Sequence, residues 1–241
     1  MGASIRGWLR ALSSIIKSGP DKKSEDIHKK LIKARDAWFG ALASHKDSFG
    51  RILLPHPAPM LKPQHMEGCY LLDSREAILN KMRTGGVAAE VGVQTGEFSK
   101  SILDICSPSK IHLIDIDLTT HSIGKRFSTE ISSGIVQLHE GDSSLILKQF
   151  PDSYFDFIYV DGNHSYQGVK QDIAAGKSKV KEEGFLIFND YTYWSPVECI
   201  DYGVIQAVNE LCIDDEWKMV YFALAHYMYC DVALKRHRPS L

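Results

Sequence analysis

Residues 89–98, Ala-Glu-Val-Gly-Val-Gln-Thr-Gly-Glu-Phe, carry an acid followed by two glycines four positions apart. They sit between a short apolar run at 87–89 and a helix-like run ending near Cys106. That order reads as strand, tight turn and helix start. Gly92 and Gly96 lack a Cβ, so backbone there can approach a ligand closely. The first turn of the following helix presents free N–H groups. Glu90, two residues before the first glycine, would repel a pyrophosphate but suits a cationic or amino-bearing ligand. The spacing also differs from the Gly-x-Gly-x-x-Gly of dinucleotide-binding turns.

For such residues to act together, a scaffold must bring distant segments to one edge. From residue 87 onward the pattern alternates. Strands are expected at 87–93, 110–117, 135–140, 155–161 and 184–190, with helices near 96–106, 120–132, 143–149 and 166–180. This rhythm implies an α/β fold, a Rossmann-like doubly wound sheet that is mostly parallel and covered on both faces. A helix near 197–212 and two nearly contiguous runs, 217–225 and 227–235, close the pattern; the runs are expected to pair as an antiparallel hairpin. Ligands of open α/β sheets bind beyond the carboxyl ends of the strands. All five expected strand ends hold an acid or a glycine turn: Gly92 to Gly96, Asp115 with Asp117, Glu140-Gly141-Asp142-Ser143, Asp161-Gly162-Asn163-His164, and Asn189-Asp190-Tyr191.

Each of these side chains has chemistry open to it. Asp115 lies about twenty residues after the glycine turn, where an acid accepts ribose hydroxyls. Asp142 can accept from an exocyclic adenine amine while the Ser143 N–H donates to a ring nitrogen; Asp142 equally fits a helix N-cap. Glu90 and Asp161 favour a positive ligand. Together they describe a nucleoside with a cationic centre and an amino-acid tail. They disfavour ATP and nicotinamide dinucleotides, whose phosphates want donors.

The remaining chain sets the context. The net formal charge is −2 over 241 residues, so no global pull toward nucleic acid is expected. Residues 1–50 hold ten Lys/Arg and five Asp/Glu, hence +5, leaving −7 for the rest. Apolar residues at 5–16 fall on one helical face, and a second helix is expected at about 24–45 with Ile27, Leu31, Ala34, Trp38 and Leu42 on a buried stripe. These helices form an appendage, 1–69, with a homodimer contact as one use and a partner-docking face as another. Prolines at 55, 57, 59 and 63 forbid regular structure at 50–67; this stretch, with His56 and His65, reads as a lid or as a connector. Residues 70–241 form the ligand-binding domain, opening on a helix at 74–83 capped by Asp73 or Ser74. Five cysteines without a Cys-x-x-Cys pair argue for reduced thiols and a cytoplasmic location. No run has the length of a membrane-spanning helix.

The ordered set AEVGVQTGEF, IHLIDID, HEGDS, DFIYVDGNHSYQGVKQDI and EEGFLIFNDY resembles the class I S-adenosylmethionine-dependent methyltransferases. More narrowly it is similar to small O-methyltransferases of the macrocin and catechol types, over about residues 70–236. The resemblance implies a seven-stranded sheet with an antiparallel last strand. It implies S-adenosylmethionine near Glu90, Gly92, Gly96, Asp115, Asp142, Ser143 and Asp161, and a small-molecule hydroxyl acceptor. In metal-dependent relatives, acids after strands four and five hold Mg²⁺; the matching residues are Asp161 and Asp190. Here Tyr191 stands where those relatives place Asn or Asp, and Asn189 could substitute only if the strand end twists. Without metal, His164 is the candidate base, with Asp190 as another and a helix-terminal structural role as the alternative for His164. Tyr191, Tyr193 and Trp194 either wall the acceptor or fill the loop. Two other readings remain: a non-catalytic S-adenosylmethionine-binding or assembly protein, and a Rossmann-type oxidoreductase.

Overall fold

The computed structural model describes residues 22–43, 58–195, 197–198, 200–224 and 229–237. The chain divides into two compact units, Met1–Leu54 and Pro55–Leu241. In the first unit one helix is described, α1 (Lys22–Ala43). Ile27 and Leu31 of its expected buried stripe are exposed; periodicity marks an apolar face without saying what covers it. The expected helix at 5–16, the side chains of Trp38 and Leu42, and His56 lie outside the described residues. No described helix is long and apolar enough to cross a membrane.

The second unit is built on an eight-stranded sheet. Its strands are β1 (Tyr70–Leu72), β2 (Val87–Val91), β3 (Lys110–Asp115), β4 (Val136–Glu140), β5 (Phe155–Val160), β6 (Val180–Phe188), β9 (Trp217–Leu224) and β10 (Cys230–Arg236). The spatial order is β4-β3-β2-β5-β6-β10-β9-β1. Strands β2 to β6 pair in parallel, and β10 runs antiparallel to both β6 and β9. The expected seven strands and antiparallel last strand are therefore present. The eighth, β1, adds in parallel to β9; three residues are too few to stand out in sequence.

All six residues of β5 are buried, which requires cover on both faces. Phe157 and Tyr159 pack with Ile78, Phe98, Ile102 and Phe127. Ile158 and Val160 point the other way, toward Leu147, Val169, Ile173 and Val208. Each such buried side chain contributes roughly 1.5–3 kcal/mol. The covering helices are α2 (Arg75–Leu79), α3 (Glu97–Cys106), α4 (Ile123–Arg126) and α5 (Ser128–Ser132), then α6 (Ser143–Leu147), α7 (Tyr166–Gly176) and α8 (Val204–Asp214).

Boundaries differ from expectation where side chains compete with periodicity. The single helix expected at 120–132 is two, broken at Phe127, whose φ of −107° leaves the helical region. Strand β6 starts at Val180 because that residue pairs with Phe155 of β5 ahead of a register irregularity, although Glu182 and Glu183 are exposed. Helix α8 starts at Val204 instead of 197, since Trp194–Ser195 (β7) and Ile200–Asp201 (β8) form a short antiparallel ribbon. Within 58–67, Pro63–His65 is a 3-10 turn, and the Pro59 carbonyl accepts from Asn209 of α8 at 2.8 Å. None of residues 58–67 lines the cavity described below. Among the described residues there is no disulfide.

Candidate active site

The carboxyl ends of β2 to β6 surround a cavity of about 840 Å³, within the ~300–1,000 Å³ of small-molecule sites. Glu90, Gly92, Asp115, Asp142, Ser143, Asp161, His164 and Asp190 all line it. Eight residues singled out by type and position thus share one space. Gly96 stands just behind the wall: it N-caps α3 at φ +74°, and a Cβ there would meet the Phe127 ring at 2.8 Å.

Local geometry explains the turn. Gly92 has φ +83°, and a Cβ on it would lie 1.9 Å from the Asp161 carbonyl oxygen. Only glycine lets the exits of β2 and β5 touch backbone to backbone. Asp115 then fastens the loop, accepting from the N–H groups of Val93 (2.6 Å) and Gln94 (3.0 Å) and, on its other oxygen, of Asp117 (3.1 Å). A carboxylate offers about four lone-pair sites, so holding both hydroxyls of a ribose requires one of these N–H bonds to be exchanged. Asp142 caps α6, accepting from Leu145 N–H at 3.0 Å and the Ser144 hydroxyl at 2.7 Å. Those bonds, the Ser144 hydroxyl first, hold its pKa low. Ser143 donates through its hydroxyl to Asp172 at 2.5 Å and lines the cavity beside the cap.

At the β5 and β6 exits lies a cluster of acids around one imidazole. Asp190 has a left-handed backbone, φ 54°, a strained state for a non-glycine residue. His164 Nε2 is 3.6 Å from Asp161 Oδ1 and 3.8 Å from Asp190 Oδ2. It is buried and has no hydrogen-bond partner. The ring plane is fixed by stacking on Tyr202, centroids 4.5 Å apart and 10° between planes. Beneath lies Asp231 of β10, fully buried. It accepts from the Tyr159 hydroxyl and from Asn189 Nδ2 at 3.1 Å.

Burial drives the electrostatics. It pushes Glu90 up to about 8, against the Ser99 hydroxyl and the nearby Arg75 charge, which pull it down. Asp190 rises to about 7, through burial and then repulsion by Asp231, and Asp231 to about 6. Asp161 is raised well above the usual carboxylate range by burial, then by Asp190 and Asp231. Burial lowers His164, keeping its imidazole neutral near pH 7. A cavity of proton-holding acids is one that a cation can bind by displacing protons.

Several wall residues escaped the sequence reading. Arg75, in the first turn of α2, is the only Lys or Arg among the lining residues. Val197, Glu198, Tyr202 and Tyr229 form the outer wall. They take the place expected for Tyr191, Tyr193 and Trp194, none of which lines the cavity. Tyr191 instead donates to Asn209 at 2.6 Å, because the kink at Asp190 turns it toward α8. One signal was available for Asp231: a lone acid inside the apolar run of β10.

The donor set does not suit Mg²⁺, which takes near-octahedral oxygen ligands at 2.0–2.1 Å. Among the described residues no three His, Cys, Asp or Glu side chains are placed to hold a metal. The Asn189 amide is turned to Asp231, Tyr191 is turned away, and an imidazole nitrogen stands between Asp161 and Asp190. A sulfonium nucleoside suits the set better, because the glycine turn, the β3-end acid and the buried acids offer acceptors and negative charge.

The family model described as a methyltransferase domain matches residues 89–191, the stretch from β2 to the end of the β6 loop. With its doubly wound sheet, the chain is similar in this stretch to the methyltransferase domain. Solved structures show the same fold at low identity. A SAM-dependent methyltransferase from Aquifex aeolicus is 13% identical with a TM-score of 0.50, covering 71% of this chain and 90% of that one. The B. subtilis M1A22 tRNA methyltransferase TrmK is 14% identical at 0.50, covering 69% and 67%. The pyocyanin biosynthetic protein PhzM is 15% identical at 0.48; the match covers 64% of this chain and about half, 51%, of that protein. No curated protein sequence matches this chain.

Proposed function

We propose that the protein transfers a methyl group to a hydroxyl of a small-molecule acceptor, without a metal ion. The observation that carries this reading is His164 Nε2, buried, unpartnered and flanked by two carboxylates on the cavity wall. A buried polar atom without a partner costs about 1–3 kcal/mol, and a hydroxyl bound there would remove that cost. S-adenosylmethionine, when bound, supplies an electrophilic methyl carbon on a sulfonium. The chain's own residues do the rest. Asp115 takes ribose hydroxyls, Asp142 and the Ser143 N–H take the adenine edge, and Glu90 takes the ammonium. His164 accepts the acceptor's proton at Nε2, and Asp161 and Asp190, once the bound cation has displaced their protons, stabilise the imidazolium that results. Positioned proton transfer of this kind contributes about 10²–10⁴ in rate. Val197, Tyr202 and Tyr229 shield the reacting atoms from water. A sugar, a phenol or another natural-product-like alcohol fits this chemistry.

Two measurements test the reading. Asp115→Ala is expected to weaken S-adenosylmethionine binding by about 1–3 kcal/mol, through loss of acceptors and of the turn they hold; unchanged affinity by calorimetry would refute that placement. Methyl-labelled cofactor incubated with a hydroxyl-rich extract is expected to yield a labelled, alkali-stable ether. Tight cofactor binding with no labelled product would favour a binding or assembly role.

A further inference from the structure

We propose that Arg75 is the carboxylate receptor of the cavity, so that the protein distinguishes a nucleoside bearing an intact amino-acid tail from one whose tail has lost its carboxyl group. The inference rests on the cofactor reading above and extends it to a residue outside the strand-end set.

The charge balance of the wall comes first. Eight Asp or Glu residues line the cavity against one guanidinium. An amino-acid tail carries a carboxylate as well as an ammonium, and the carboxylate would be repelled there unless a fixed cation met it. Arg75 is that cation. Its Cζ lies 4.3 Å from the centroid of Phe98, in the first turn of α3 just past the glycine turn, so the guanidinium plane is held over a ring. Its Nε is 3.7 Å from Glu76 Oε1 and its Nη1 4.0 Å from Asp161 Oδ2, both ion pairs beyond hydrogen-bond reach, and among the described residues the group donates no hydrogen bond. About a third of the side chain, 34%, is exposed. A guanidinium that is oriented but unspent offers the planar fork that takes a carboxylate through two parallel bonds. Arg75 is also near enough to Glu90 to lower that residue's affinity for a proton. Positive and negative groups thus stand side by side, as an α-amino acid requires. The competing role, simple neutralisation of the buried acids, would act on every ligand alike.

The experiment is calorimetric binding of S-adenosylhomocysteine, its decarboxylated analogue and 5′-methylthioadenosine to the wild type, Arg75→Gln and Arg75→Lys. The wild type is expected to bind S-adenosylhomocysteine about 10–100-fold more tightly than the decarboxylated form, as loss of a charge-assisted pair implies. Arg75→Gln should erase that preference while leaving methylthioadenosine within about threefold, and Arg75→Lys should keep part of it. Equal weakening of all three ligands by Arg75→Gln, or no wild-type preference for the carboxylate, would overturn the proposal. A wild type that binds none of the three would overturn the cofactor reading itself. Thermal melts identify a misfolded Arg75→Gln, in which case Arg75→Lys decides: full retention of the preference for the carboxylate with all three affinities unchanged, or an equal loss across the three, counts against the fork.

Discussion

Strand β5 carries an aspartate near each end, and the two live in opposite circumstances. Asp156, near the amino end, is surrounded by donors: the Val87 N–H at 2.7 Å, Lys181 at 2.7 Å and Arg83 at 3.6 Å. Asp161, just past the carboxyl end, accepts no side-chain hydrogen bond among the described residues. It faces Asp190, Asp231 and Glu90, with Arg75 the one opposing charge. The first aspartate fastens β2, β5 and β6 together. The second is held at a cost the fold would avoid if stability alone mattered, and such cost is characteristic of ligand sites. The two histidine environments repeat the contrast. His112 has both ring nitrogens engaged, by His139 at 2.9 Å and the Tyr154 hydroxyl at 3.2 Å, whereas His164 keeps one vacant.

The sharpest way to break this comparison is turnover. Asp190→Ala is expected to reduce kcat by roughly 10³ or more while S-adenosylmethionine affinity stays near normal; retained activity would make Asp190 structural. Next is stability at the other end. Asp156→Ala strands Lys181 and the Val87 N–H and should lower unfolding free energy by about 2–4 kcal/mol, with cofactor affinity of the folded protein unchanged. Denaturant melts that match wild type would remove the contrast.

Asp161→Asn should act in the opposite sense, raising stability by about 1 kcal/mol while weakening binding of a cationic cofactor. The sign follows from linkage. The folded Asp161 carboxyl holds its proton more tightly than the unfolded one near 3.9, so its penalty appears as pH rises above that value. The gain from Asn should therefore be larger at pH 8 than at pH 4, and a uniform or negative shift would count against the repulsive cluster. The smallest expected effect concerns Glu90. With its pKa at about 8 in the free protein, a bound cation should pull it down and release protons. Affinity for S-adenosylmethionine should then rise as pH increases toward about 8 and level off above it, by up to about tenfold per unit of induced shift. Calorimetry in buffers of different ionisation enthalpy measures that release directly.

The candidate rim was legible in the sequence wherever a polar residue sits at a strand exit. The turn from Glu90 to Gly96 and the acids at 115, 142, 161 and 190 each follow an apolar run with period two or a buried strand, and topology then brings them together. Arg75 and Asp231 were not legible as site residues. Arg75 lines the cavity from α2 and Asp231 backs its wall from β10, far along the chain from the residues they face, and no local spacing encodes that meeting. The outer wall failed for a different reason: a single left-handed residue, Asp190, redirects the three aromatics behind it, and φ at a non-glycine position is not written in residue type. The helix stripe at Ile27 and Leu31 shows the complementary limit, since an amphipathic pattern predicts a face and not its cover.

The place of β10 in the sheet has a consequence for how the protein is made. It follows every other described strand yet lies between β6 and β9, and it brings Asp231 beneath Asn189 of the cavity wall. During synthesis both neighbours wait with open edges, the condition under which partly built sheets find wrong partners. A ribosome pausing before residue 230 would leave a nascent chain with its glycine turn formed and its sheet unsealed. Chaperone dependence should therefore concentrate in that final interval.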